Sequence, residues 1–149
     1  MREIERLRDI CRRAGLKATH QRLEILREMT QASDHPSAEQ IHGRVRTRMP
    51  TISLDTVYRT LATFEKSGVI ARLHVLDGRI RYDPVRERHD HFVCTECKGI
   101  IDCRIPGTDG LQIPSDARKW GKVSSVHVEL RGVCKNCLRR RRGRRRSGD

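Results

Sequence analysis

The chain has 149 residues, enough for one domain or two small ones, and with 36% hydrophobic and 3% aromatic residues two separate cores would each be thin enough to need a staple such as a structural metal. A formal net charge of +13 points to an anionic partner such as nucleic acid or an acidic membrane surface. Removing the seven arginines of "RRRRGRRR" (residues 139–146) and the single Asp149 still leaves +7 on residues 1–138, so the body is basic without its tail.

The opening "MREIERLRDICRR" has the pattern of a charged amphipathic helix rather than the apolar core of a secretory signal. No stretch approaches the ~18 apolar residues of a membrane span. A cytoplasmic protein without a membrane partner is expected. Leu7, Ile10 and Cys11 mark the first helix, and Leu23, Ile25, Leu26 and Met29 a second, at helical spacing. In "PSAEQIHGRV", Ser37 after Pro36 is the expected N-cap of a third helix, and Gln40 completes a capping box. "SLDTVYRTLATFEKSG" is the fourth, with Val57, Leu61 and Phe64 on its apolar face and Gly68 ending it.

In "VIARLHVLDGRIRYD", Asp77-Gly78 is a two-residue turn favoured in tight hairpins. Pairing outward from it puts Val75 opposite Ile80 and Leu73 opposite Tyr82 on one face, with His74, Arg79 and Arg81 on the other. Helices followed by such a hairpin describe a winged helix-turn-helix over residues 1–83. "DPVRERHD", with Pro84 and a charged run, suggests a linker at 84–88. Beyond it, 90–94, 99–103 and 122–130 read as short strands and a brief helix starts near Pro114, which makes the fold class α+β with a second domain over 89–138. No internal repeat is visible. Residues 139–149 are low-complexity, basic and too poor in apolar groups to fold, so a disordered tail is expected.

Cys94-x-x-Cys97 is answered by Cys134-x-x-Cys137. Four thiolates suit tetrahedral Zn²⁺, a borderline-soft ion with no geometric demand of its own. The 36 residues between the pairs exceed the usual ribbon spacing of about 15 to 20, so the pairs would clip a small sheet shut. Two disulfides or four packed thiols are the alternative. Cys11 sits at an apolar helix position and reads as core, whereas Cys103, beside Asp102, is either redox-active or a buried strand residue.

Within "HDHFVCTECKGIID" strand alternation sets His89 and His91 on one face and Asp90 and Phe92 on the other, so the two histidines can share an ion. Imidazole and carboxylate donors differ from thiolates in hardness. Two ions are therefore expected rather than one, although most exposed histidine pairs bind nothing.

The motifs "HPSAEQIH", "SLDTVYRTLATFEKSGVI", "RYD", "HDHFVCTECKGIID" and "GVCKNC", in this order over residues 5–138, resemble the ferric uptake regulator superfamily of metal-dependent repressors, and most closely its peroxide-sensing branch. The resemblance implies a winged helix followed by a small α/β dimerisation domain, with structural Zn²⁺ on Cys94, Cys97, Cys134 and Cys137. It implies a regulatory Fe²⁺ or Mn²⁺ on His35, Asp83, His89, His91 and Asp102. Three imidazoles and two carboxylates form a neutral shell around a divalent ion and leave one octahedral position open.

Aspartate at 102, where iron-uptake relatives tend to have glutamate, resembles the peroxide sensors. Their chemistry implies Fe²⁺-catalysed oxidation of His35 or His89, in a protein that is consumed rather than turning over as an enzyme. Peroxide is the only small molecule expected to act on it. The family's auxiliary metal site uses a histidine where this chain has Val126, so no third site is expected.

The partners implied are a second copy of the chain and a palindromic DNA operator. Ser53, Thr56, Tyr58 and Arg59 are the expected groove-facing set, by resemblance and by lying off the Val57, Leu61 and Phe64 face, unless some of them only cap or pack the helix. Arg79 and Arg81 on the wing would meet phosphate. The arginine tail would add sequence-blind attraction or serve only as a solubilising end.

Within the family, an iron- or zinc-responsive uptake regulator is the alternative. From another class, a non-haem iron oxygenase needs several open metal positions where five ligands leave one, and a zinc deaminase needs H-x-E with P-C-x-x-C, which "HDH" and "VCTEC" lack. A zinc-stabilised binder of any duplex is the third reading.

Overall fold

The computed structural model of the chain describes residues 2–74, 78–84, 89–123 and 126–146. Two compact units divide it, Met1–Glu87 and Arg88–Asp149. The first contains α1 (Arg2–Arg13), α2 (His20–Gln31), α3 (Ala38–Val45), α4 (Leu54–Lys66), β1 (Ile70–His74) and β2 (Ile80–Pro84). The second contains β3 (Asp90–Cys94), β4 (Ile100–Cys103), a 3-10 turn at Thr108–Gly110, α5 (Ala117–Trp120), β5 (Glu129–Gly132) and α6 (Lys135–Arg146). No described helix is long and apolar enough to cross a membrane.

In the first unit the helix starts follow local chemistry. Thr19 and Ser53 accept hydrogen bonds from the backbone of Arg22 and Thr56, and Ser37 and Gln40 form the full capping box expected for α3. Gly68 ends α4 with φ +72°, a conformation open to glycine and strained for side chains. Phe64, Ile25, Ile41 and Leu61 are fully buried in one cluster with the hairpin residues Ile70 and Tyr82. Cys11 belongs to that core, as its apolar helix position suggested.

The wing differs from expectation. Its register pairs Arg72 with Tyr82, Leu73 with Arg81 and His74 with Ile80, not Leu73 with Tyr82. A two-residue turn at 77–78 would put Ile70 and Tyr82 on opposite faces, whereas both are buried in the same core. Core burial therefore overrides local turn preference and lengthens the loop. Val75 and Asp77 of the expected turn lie outside the described residues.

In the second unit β3 is central, antiparallel to β4 and parallel to β5. The strand expected over 122–130 is limited to Glu129–Gly132, where the backbone reaches β3. Val126 and His127 precede it. Order also continues beyond residue 138, because α6 runs to Arg146 where a disordered tail was expected. Cys134 just before α6 and Cys137 in its first turn join the sulfur cluster, Arg141 pairs with Glu96, and arginine has a high intrinsic helix propensity.

Replacing Phe64, fully buried at the centre of the first unit, by alanine is expected to cost about 3–5 kcal/mol, checked by urea unfolding followed by circular dichroism.

Candidate metal centres

The four cysteines come from the end of β3, the turn after it, the residue before α6 and the first turn of α6. All six cysteines of the chain are free thiols. Cys94 Sγ and Cys137 Sγ are 3.9 Å apart, and Cys97 Sγ and Cys134 Sγ 3.8 Å. Four sulfurs about 2.3 Å from one Zn²⁺ stand about 3.8 Å apart along a tetrahedral edge, whereas a disulfide requires about 2.05 Å. The donors fit zinc and not cystine.

The turn that brings Cys97 back toward Cys94 is tight. Lys98 has φ +60°, its N–H donates to the Cys94 carbonyl at 3.0 Å, and a Cβ at Gly99 would stand 3.3 Å from Cys97 Sγ. Burial works to raise the Cys94 thiol, but the N–H groups of Cys134, Cys97 and Glu96 bond to its sulfur and bring it down to about 6. Burial pushes the Cys137 thiol up to about 12 although Arg140 Nη2 donates to it at 2.9 Å. Arg140 lies one helical turn after Cys137, a spacing from which sequence reading could have paired them.

The nitrogen and oxygen donors occur in two groups, one per unit. In the first, His35 Nε2 is 3.4 Å from Asp83 Oδ1, and both side chains are buried. His35 has φ +49°, rare for a residue with a side chain and disfavoured before Pro36. The strain is held by a hydrogen bond from Tyr82 N to the Pro36 carbonyl and by the capping box of α3. In the second unit His89 and His91 share one face of β3, and the Nε2 atom of each is 3.6 Å from Asp102 Oδ1 on β4.

These separations are wider than strong hydrogen bonds of about 2.7–3.2 Å. They lie in the range of roughly 3.0–4.2 Å expected for two ligands each about 2.1 Å from a common ion. The opposite face of β3 is fastened through Asp90, whose Oδ2 accepts from Thr108 Oγ1 at 2.9 Å and Ile105 N at 3.0 Å. That fastening, which the sequence reading missed, holds the strand between the two histidines. Cys103 is half-buried on β4, and burial raises its thiol, with Asp90 and Asp102 adding to the effect, so the strand-residue reading fits better than a reactive one.

On the candidate nucleic-acid face, Ser53 is the N-cap of α4 and also bonds Thr56 Oγ1 at 2.8 Å, so this pair caps the helix. Tyr58 is exposed and donates to Glu39, and Arg59 pairs with Asp55 at 2.9 Å on the outside of α4. Arg81 Nη1 donates to Gln40 Oε1 at 2.8 Å, while Arg79 is exposed. Tyr58, Arg79 and Arg81 line one cleft of about 560 Å³ with Glu39 and Gln40, two residues missed as partners in the sequence.

A winged helix joined to a thiolate-caged α/β unit, with imidazole and carboxylate donors in both, defines a metal-responsive DNA-binding regulator. The chain belongs to the Ferric uptake regulator family, whose model matches residues 13–131, and it has that family's fold. It is 30% identical over 138 residues, 93% of this chain and 95% of the relative, to a peroxide operon regulator of Bacillus subtilis. It is 37% identical over 129 residues, 85% of this chain and 90% of the relative, to a ferric uptake regulation protein of Rhizobium leguminosarum bv. viciae. Among solved structures it is similar to a zinc-bound manganese uptake regulator, with a TM-score of 0.67 and 36% identity over 86% of this chain and 98% of that one.

Because the second unit has few buried apolar side chains, Cys97→Ser is expected to abolish stoichiometric zinc binding and to melt the β3–β5 sheet while leaving the helices of the first unit folded. Zinc release assayed with a chromogenic chelator, alongside hydrogen exchange, checks this.

Proposed function

We propose that the chain is a repressor that senses hydrogen peroxide. One divalent ion, Fe²⁺ or Mn²⁺, shared by His35, Asp83, His89, His91 and Asp102 holds a homodimer in the form that binds a palindromic operator, and oxidation of a ligand histidine releases it. The observation that carries this reading is the convergence of His89 and His91 on one oxygen of Asp102, a carboxylate 53% exposed and therefore open to a small solute.

Each unit alone offers two or three donors. Together the five would balance the charge of a divalent ion with three imidazoles and two carboxylates, a donor number that leaves room for peroxide. Fe²⁺ held there would activate H₂O₂ and end the cycle as Fe²⁺, while the two electrons that H₂O₂ accepts come from an imidazole C–H bond. The net change in the protein is one oxygen atom inserted into a C–H bond of the His35 or His89 imidazole, with one water released. The event happens once per molecule, so no enzyme turnover is involved. Aspartate at 102 and the likeness to a peroxide operon regulator support the peroxide branch.

Ligands from both units let metal act on DNA affinity. At about 100 times its Kd, an ion that binds only the joined form favours it by about 2.7 kcal/mol. In a two-fold dimer that form sets the spacing of the two α4 helices, which must match the operator half-sites. Tyr58 and Arg59 then face the major groove beside the Ser53–Thr56 cap of α4, and Arg79 and Arg81 face phosphate. The second unit supplies a self-association surface: Phe92 lies between Ile101 and Leu130 across the three-stranded sheet, and the outer two are exposed.

A second reading, response to metal supply, is favoured by the higher identities to the ferric uptake regulation protein and the manganese uptake regulator. Dilute H₂O₂ added to the Fe²⁺-loaded dimer is expected to abolish operator binding in a gel shift and to add one oxygen mass to a peptide containing His35 or His89, whereas the Mn²⁺ form changes in neither respect. Asp102→Glu should keep metal-dependent binding and lose most of the peroxide response. Unchanged binding with no added oxygen in the Fe²⁺ form would favour the metal-supply reading. Separately, Ile101→Glu with Leu130→Glu is expected to shift the chain from dimer to monomer by light scattering.

A further inference from the structure

We infer that α6 is a second nucleic-acid contact, a cationic rod anchored beside the thiolate cage that lies along the phosphates of duplex DNA. The inference rests on the DNA-binding reading above and extends it to a part of the chain that reading leaves unused.

Lys135 and seven arginines occupy the 12 residues of α6, with no acidic residue among them. At 1.5 Å per residue the helix is about 18 Å long and carries one positive charge per about 2.3 Å, close to the one negative charge per about 1.7 Å of duplex DNA. Arg139 to Arg142 are exposed. Among the described residues one carboxylate, that of Glu96, pairs with the helix, at Arg141. The first turn is fixed because Cys137 is buried in the sulfur cluster and Arg140 donates to it.

Like charges three and four residues apart oppose helix formation. A solubilising end would need neither a helix nor an anchor, whereas a polyanion relieves that repulsion. Seven of the eight cations are arginine, whose planar fork pairs with phosphate through two hydrogen bonds. An anionic membrane fits less well. The apolar groups of α6 are Cys137 and Leu138 alone, so the helix has no apolar face to embed.

The test replaces Arg139, Arg142, Arg144, Arg145 and Arg146 by glutamine in the full zinc-loaded chain, leaving Arg140 and Arg141 at the cage. A rod can turn roughly half of those charges toward one phosphate row. The slope of log affinity against log salt should then fall by about 2 to 3, for operator and random duplex alike. Between 50 and 200 mM salt the variant should lose about 16- to 64-fold less affinity than the wild type, with the same preference for operator over random duplex. Arg→Lys at the same five positions should keep the wild-type slope.

Equal slopes for the wild type and the glutamine variant, at equal zinc content, overturn the inference. So does tighter binding of the wild type to phosphatidylserine vesicles than to duplex, when the glutamine variant loses only the vesicles. If the slopes differ but the wild type shows no metal-dependent operator preference, the regulator reading fails and the phosphate contact stands.

Discussion

The four-sulfur cluster is the constraint on which the second unit depends. Among its described residues the buried apolar side chains are Val93, Ile100 and Ala117, together with Cys94 and Cys137. That is too little apolar surface to offset the ordering of some sixty residues at about 1–2 kcal/mol each, and a structural metal supplies what the core lacks. The cluster also joins parts distant in sequence, since Cys94 ends β3 and Cys137 lies in the first turn of α6. A strand held at its end by Cys94 and at its start by Asp90 has a fixed face, and His89 and His91 owe their shared direction to that.

Hard and soft donors are kept apart by this arrangement. Cys94 is three residues from His91, yet alternation along β3 and the turn at Lys98 carry the sulfurs into the cluster while the imidazoles meet Asp102. Zinc is retained by thiolates on thermodynamic grounds, so a second, exchangeable ion must find donors that thiolates do not compete for. The strained His35 belongs to the same logic. A left-handed backbone before proline is maintained at a cost, and its consequence is to bring the imidazole to 3.4 Å from Asp83 inside the first unit.

Local signals were legible where one interaction decides the outcome. The capping box of Ser37 and Gln40, the Val57, Leu61 and Phe64 face and the paired C-x-x-C motifs each depend on residues a few positions apart, and the structure contains all of them. The wing register was misread because Asp77-Gly78 is a local preference, while the core needs Ile70 and Tyr82 on one side. The late strand was overlong because β propensity in 122–128 says nothing about whether a partner strand is within reach. Glu39 and Asp90 escaped notice for a related reason: a charged residue acquires a role only from the group the fold sets beside it.

The pair formed by Tyr58 and Glu39 illustrates how such a partner alters the reading of a site. Glu39 lies on the first turn of α3, and its carboxyl is held low chiefly by the Tyr58 hydroxyl, which is raised in turn by the same bond. If Arg79 and Arg81 meet phosphate as proposed, an acidic group beside them weakens attraction to DNA, so its presence needs a compensating effect. Fixing the phenol of an exposed tyrosine supplies one. A side chain already confined to one rotamer saves about 0.5–1.5 kcal/mol of ordering on contact with a base. Arg79 also lowers the Glu39 carboxyl, so part of the repulsion is neutralised within the cleft itself. On that reading the arrangement trades long-range attraction for a preorganised contact. On the proposed reading, the basic surplus elsewhere, above all on α6, supplies the sequence-blind attraction that the cleft gives up.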